Sequence, residues 1–189
     1  MITPLDIQFD LNEALDYYYT LESKFQHLKY TPDANLLDGS NHKISNFYGW
    51  GIQSNLEDLT KPCPPYHVHK NGSNVYRNTE LVFGFAEKIT LVFPEARQLG
   101  IAVHPPGVEI EQHVDNDEYF KIHIPLISNL DSYFIFGDKM DRMLPGKLYA
   151  VDTQYMHGTS NKGSTNRVHL LFKIPRNLLT TTLSIKGIL

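Results

Sequence analysis

Apolar residues recur at two different periods in this chain, and the change falls near Pro94. Before it the spacing is helical. Asp10 followed by Glu13 resembles a capping box, and Leu11, Leu15, Tyr18, Phe25 and Leu28 roughly follow one stripe, which predicts a helix over about 10–28. Pro32, Asp33 and Asn35 break it. Thr79 is positioned to cap a second helix carrying Leu81, Val82, Phe85, Ile89 and Val92 and stopped by Pro94. Between these helices, 29–78 offers only a candidate strand near 44–50 and a loop-like, proline-rich run from Lys61 to Asn78.

After Pro94 the pattern becomes short strands separated by turn residues, with candidates at 98–103, 108–114, 119–127, 133–136, 147–151, 155–158 and 167–174. The breaks include Pro105-Pro106-Gly107, Pro145-Gly146 and 160–166. Helices first and many short strands afterwards imply a mainly β fold, a sandwich or jelly roll with helices packed on one side. There is no internal repeat or linker. One domain spanning 1–189 is expected, with a helical part over about 1–94 and a β core over about 95–175.

Within two of these strands polar and apolar residues segregate. In Lys121-Ile-His-Ile-Pro-Leu126, Lys121, His123 and Pro125 share one face, and Ile122, Ile124 and Leu126 the other. In the strand from Arg167, Arg167 and His169 lie opposite Val168, Leu170, Phe172 and Ile174. A period of two forces this separation. An ordinary surface strand would alternate in the same way. Two such strands beside an HxD element point instead to a polar cavity lined by one sheet face.

That HxD element is His113-Val-Asp115, whose two polar side chains, with Glu111, project from one strand face and can reach one cation. His157, from a neighbouring strand, would complete a set of two histidines and one carboxylate. Three ligands on one face of an octahedron leave three positions open, as Fe(II) needs to bind a chelating co-substrate and O2. HxD alone is common by chance. Followed 44 residues later by His157, and 10 after that by Arg167 in an apolar strand, it is much more specific.

Composition narrows the field. Apolar content of 41% and charged content of 20% are ordinary for a globular chain, so wholesale disorder is not expected. With 17 Lys and Arg against 21 Asp and Glu, no basic excess points to nucleic acid. The lone Cys63 excludes an internal disulfide and any multi-cysteine zinc motif, and suits a reducing cytoplasm. The opening residues carry no secretory leader pattern, and no apolar run approaches a membrane span.

From about Leu81 to Ile174 the chain resembles the 2-oxoglutarate/Fe(II) oxygenases, in particular the branch of aspartyl/asparaginyl β-hydroxylases and free-proline cis-hydroxylases. The matching elements are His104-Pro-Pro-Gly107, His113-Val-Asp115, Lys121-Ile-His-Ile-Pro-Leu126, Pro145-Gly146, Val151-Asp152, His157 and Arg167-Val-His-Leu170. They cover about half the chain, in family order. The resemblance implies a double-stranded β-helix (a cupin-like jelly roll) and Fe(II) held by His113, Asp115 and His157. It also implies that Arg167 holds the far carboxylate of 2-oxoglutarate and that His123 contacts this co-substrate. Lys121 stands where relatives often have Arg, as a further co-substrate residue. His169 stands where many have Ser, which leaves the carboxylate's second partner open. Asp152 is implied to support the site or shape its turn rather than to ligate.

The implied reaction is hydroxylation of an unactivated C–H bond with O2, coupled to decarboxylation of 2-oxoglutarate to succinate and CO2. The compact chain favours a small amino-acid-like substrate, proline being a first candidate by resemblance; a protein or peptide side chain is the alternative. A non-catalytic cupin-like metal-binding module is the rival from another class, and a zinc hydrolase with Glu111 as base is a weaker one. Among other residues, His67-Val-His69 forms a rival HxH pair read as a loop or lid. Tyr17, Tyr18 and Tyr19 are read as packing residues, while Tyr48 and Trp50 could line a pocket or the core.

Overall fold

The computed structural model describes residues 2–31, 46–65, 75–115 and 118–178. The His67/His69 pair lies outside them. Strand β1 (Ile2–Leu5) precedes helix α1 (Leu11–Lys24) and a 3-10 turn (Gln26–Leu28). Next come β2 (Tyr48–Gly51), β3 (Gln53–Ser54), β4 (Arg77–Asn78) and helix α2 (Gly84–Val92). The β region holds β5 (Arg97–His104), β6 (Glu109–His113), β7 (Tyr119–Ile127), β8 (Ser132–Phe136), β9 (Lys139–Asp141), β10 (Leu148–Val151), β11 (His157–Asn161) and β12 (Arg167–Pro175).

The strands form a large antiparallel sheet in the order β1-β10-β7-β12-β5-β2 and a smaller one in the order β6-β11-β8-β9; β3 and β4 pair separately. The expected jelly roll is present. The apolar faces of β7 and β12 point where the alternation placed them. Ile122, Ile124, Leu126, Val168, Leu170, Phe172 and Ile174 join Leu21 of α1 and Phe85 and Ile89 of α2 in one core. The helices cover one face of the large sheet because that face offers an unbroken apolar surface. The opposite face, carrying Lys121, His123, Arg167 and His169, is turned inward.

The first helix ends earlier than expected. Its start is as read: Asp10 accepts from the backbone N–H groups of Asn12 and Glu13. Phe25 is its C-cap, and the indole N–H of Trp50 donates to the Phe25 carbonyl at 2.9 Å, after which the chain tightens into the 3-10 turn. Thr79 does not cap α2. Its hydroxyl donates to the Ile52 carbonyl and accepts from the N–H of Leu81, so a turn tied to Ile52 precedes the helix at Gly84. The strand expected at 155–158 starts at His157 and runs on to Asn161, paired along its length with β8.

Four short strands, β1, β3, β4 and β9, were not anticipated. β1 pairs with β10, β4 with β3, and β9 completes a two-residue hairpin after β8. The Gly137-Asp138 corner of that hairpin, with Gly137 at φ +55, was a readable signal. Tyr17 and Tyr18 are buried and bonded to Leu81 and Glu22, whereas Tyr19 is exposed. Trp50 belongs to the core with Tyr48 packed against it, so neither faces the inner cavity. Cys63 is buried. Among the described residues no helix is long and apolar enough to cross a membrane.

Candidate metal centre and carboxylate pocket

His113 ends β6 and His157 begins β11, and the two are direct partners in the antiparallel register. Their rings lie 4.4 Å apart between centroids. The register shifts between His157 and Thr159, at Gly158. A Cβ on Gly158 would lie 2.7 Å from the carbonyl oxygen of Ile110, so only glycine lets the two strands approach so closely here. Phe134 of β8 stacks parallel to the His157 ring, 5.8 Å away and tilted by 9°. The ring is thus held from two sides.

Both histidines make the same second contact. His113 Nδ1 lies 2.8 Å from the carbonyl of Glu111, and His157 Nδ1 lies 2.9 Å from that of Tyr155. A carbonyl only accepts, so each ring carries its proton on Nδ1 and presents the lone pair of Nε2. Asp115 sits beyond the end of β6, placed by its backbone N–H donating to the Thr153 carbonyl at 2.8 Å. Its carboxylate oxygens lie 3.5 Å from His113 Nε2 and 3.9 Å from His157 Nε2. One ligand atom from each of the three residues falls within 4.8 Å of the others. The His157 Nε2 is buried with no hydrogen-bond partner among the described residues.

The electrostatics keep Asp115 ionised. Burial opposes ionisation of Asp115, but Lys121, bonded at 2.9 Å, outweighs it together with His157 and Lys173 and holds the carboxyl well below its usual range. Burial, and then the charge of Lys121, push His157 down to about 4, so its imidazole is neutral at physiological pH. Two imidazoles with Nδ1 turned to the main chain and one carboxylate, all on one side, fit a divalent first-row ion that keeps open positions.

Deeper on the inner face lies Arg167, which is almost fully buried. Its guanidinium is 3.2 Å from His104 Nδ1 and 3.3 Å from His169 Nδ1, and His169 Nδ1 is 3.2 Å from His123 Nδ1. His123 and Lys121 lie on β7 between this group and Asp115. Arg167 and His123 were expected here, whereas His104 entered only as part of a motif and His169 only as the residue standing where many relatives have Ser. The signal for His104 was that it starts a Pro-Pro-Gly turn directly after an apolar strand.

Two other residues of the motif region stand apart from the ligand set. Glu111 contributes its backbone carbonyl, while its side chain is exposed. Asp152 accepts from the N–H of Gln154 and from Arg176, which makes it a turn residue and an anchor for the segment after β12.

A jelly roll with two histidines and a carboxylate gathered around a cation-sized space is the architecture of a non-heme metal protein. The aspartyl/asparaginyl β-hydroxylase family matches residues 41–177, and the chain belongs to that family. It is an enzyme of the 2-oxoglutarate–Fe(II) oxygenase type. An oxidoreductase of the 2OG-Fe(II) oxygenase family from Burkholderia pseudomallei has a TM-score of 0.53 at 11% identity, covering 86% of this chain and 90% of that one, which shows a shared fold. A Cupin 2 conserved barrel domain protein from Salinispora arenicola matches at 12% identity over 46% of this chain and 69% of that one, with a TM-score of 0.34. The Escherichia coli ribosomal oxygenase YcfD matches at 16% identity over 46% of this chain and 26% of that one, with a TM-score of 0.32. Comparison with curated proteins gives no match.

Proposed function

We propose that the chain hydroxylates an unactivated C–H bond of an amino acid or amino-acid-like small molecule, proline being the first candidate, with Fe(II), 2-oxoglutarate and O2. The observation that carries this reading is the paired Nδ1-to-carbonyl bonding, which presents the Nε2 of both His113 and His157 beside the Asp115 carboxylate. When bound, iron supplies O2 activation coupled to decarboxylation of the keto acid.

The chain's own residues do the rest. His113, Asp115 and His157 hold the ion from one side and leave the other open. Arg167 receives the far carboxylate of 2-oxoglutarate, for which a permanently charged planar fork is suited. Lys121 shares its charge between Asp115 and the anion that comes to lie beside it. His123 lines the route between the two ends. Phe134, in an apolar cluster with Tyr149 and Val151, flanks the site and stacks on the His157 ring.

The test is anaerobic titration with Fe(II) and 2-oxoglutarate, watching the visible charge-transfer band, followed by succinate release in air with a panel of free amino acids. Asp- and Asn-containing peptides belong in the same panel, because the family takes its name from those residues. Stimulation by a free amino acid supports the small-molecule reading, and stimulation by peptides alone replaces it. No band, with zinc or no metal bound, leaves the non-catalytic module.

A further inference from the structure

Gln98 departs from the regular geometry of β5. Its φ is +55, in the left-handed region that favours glycine. The register with β12 shifts at the same place: Gly100 faces Leu171 and Arg97 faces Lys173, so Gln98 and Leu99 stand against Phe172 alone. A bulge of this kind re-aims a side chain, and such backbone strain clusters at ligand-binding sites. Gln98 is only 4% exposed, yet its Nε2 has no hydrogen-bond partner among the described residues. The buried hydroxyl of Tyr76 is in the same position. The two atoms belong together. Burial pushes the Tyr76 hydroxyl up to about 12, the Gln98 amide acts on it in the opposite sense, and Cys63 and Tyr119 add to the rise.

Both of these further neighbours belong to the inner face of the large sheet. Cys63 packs against Gly51, and Pro65 against Gly100, on the side of β2 and β5 opposite the core residues Trp50 and Ile101. Tyr119 shares its face of β7 with Lys121 and His123, and accepts from Arg97 at 3.0 Å. Arg97, Lys173 and Lys121 stand side by side across β5, β12 and β7, a row about 10 Å wide that ends at the partner of Asp115. Arg167 lies at the other end of β12, about 20 Å along the strand from Lys173. An amide N–H only donates and a hydroxyl can donate, so the pair complements a group that accepts, and the charges of the row favour an anion there. We infer that Gln98 and Tyr76 form the subsite for the substrate's own carboxylate, at the end of the inner face away from Arg167. The inference rests on the proposal that the substrate is amino-acid-like.

The experiment is calorimetry on protein loaded with Zn(II) and 2-oxoglutarate, titrated with the free amino acids, L-proline first, and with the carboxamide of each one that binds. L-prolinamide keeps the ring of L-proline and lacks its carboxylate. Gln98→Gly should weaken L-proline about 10- to 30-fold and Tyr76→Phe about 3- to 10-fold, while the weaker binding of L-prolinamide changes little. Gln98→Glu keeps the size of the side chain and replaces its donor with a carboxylate, so it should reverse the preference and bind L-prolinamide more tightly than L-proline. Zn(II) and 2-oxoglutarate affinities should match wild type in all three variants. L-proline binding that survives all three substitutions, or that falls together with L-prolinamide, overturns the inference while the oxygenase reading stands. Wild-type protein that binds 2-oxoglutarate but no free amino acid overturns the inference and the small-molecule reading together. Gln98→Glu and Tyr76→Phe carry the decision even if Gln98→Gly does not fold.

Discussion

His113 and His157 face each other across β6 and β11, and each turns Nδ1 to the backbone carbonyl two residues before it. The protein sets both tautomers with its own main chain before any ion arrives. Because each carbonyl stands two residues before its ring in the same chain, the orientation costs no additional side chain. His157→Ala should therefore abolish tight metal binding and turnover together, as read by metal content after dialysis and by succinate release. A mutant with normal activity would sink the ligand set.

Arg167 lies far enough inside the sheet that its removal should separate co-substrate from metal. Arg167→Ala leaves His113, Asp115 and His157 in place but removes a charge-assisted pair worth about 2–3 kcal/mol. The 2-oxoglutarate requirement should rise about 30- to 100-fold, with Fe(II) or Zn(II) affinity changed little. Unchanged co-substrate dependence would remove Arg167 from the role proposed for it.

Lys121 competes with the metal. Its ammonium bonds the Asp115 carboxylate at 2.9 Å and repels any cation placed there. Lys121→Met should tighten metal binding by about tenfold and weaken 2-oxoglutarate, two opposite changes from one substitution. Competition against a chromophoric chelator reads the first and calorimetry the second. Weaker metal binding in this mutant would mean that Lys121 positions Asp115 rather than competing for it.

Gly158 tests the local geometry. An added methyl meets the Ile110 carbonyl at 2.7 Å, so Gly158→Ala must push β11 away from β6. A loss of about 1–3 kcal/mol in stability is expected, along with weaker metal binding, because the His113–His157 register is disturbed. Denaturant unfolding and metal titration give the two numbers; wild-type values for both would show that the strands can separate at no cost.

The buried histidines make the fold acid-sensitive. His157 is pushed down to about 4, and His104, His123 and His169 lie well below their ordinary value, while in the unfolded chain all four take protons near pH 6.5. The unfolded state therefore binds more protons below about pH 6.5, and stability falls as pH drops from there, by up to about 1.4 kcal/mol per unit for each histidine. For His157 the loss is complete near pH 4. The urea midpoint should decline between pH 7 and pH 5, and with Zn(II) bound it should start higher and fall at least as steeply, because the ion keeps His157 unprotonated in the folded state while the unfolded chain still takes up protons. A midpoint flat over that range would contradict the burial of these rings in neutral form.

Much of this molecule was legible in the residues themselves. Alternation in β7 and β12 assigned Ile122 and Leu170 to the core and His123 and Arg167 to the opposite face, because a strand has no other way to dispose its side chains. The spacing of His113, Asp115, His157 and Arg167 pointed to one site, and the family match agrees with the class it implied. What a linear pattern cannot contain is contact between distant segments. The end of α1 was decided by the indole of Trp50, and the start of α2 by the hold of Ile52 on Thr79. The approach of His157 to His113 depends on a bulge at Gly158, and the meeting of His169 with His123 depends on β12 lying beside β7. Periodicity determines which face a side chain occupies. Which atom of that side chain bears the proton is decided only by the partner that folding sets against it.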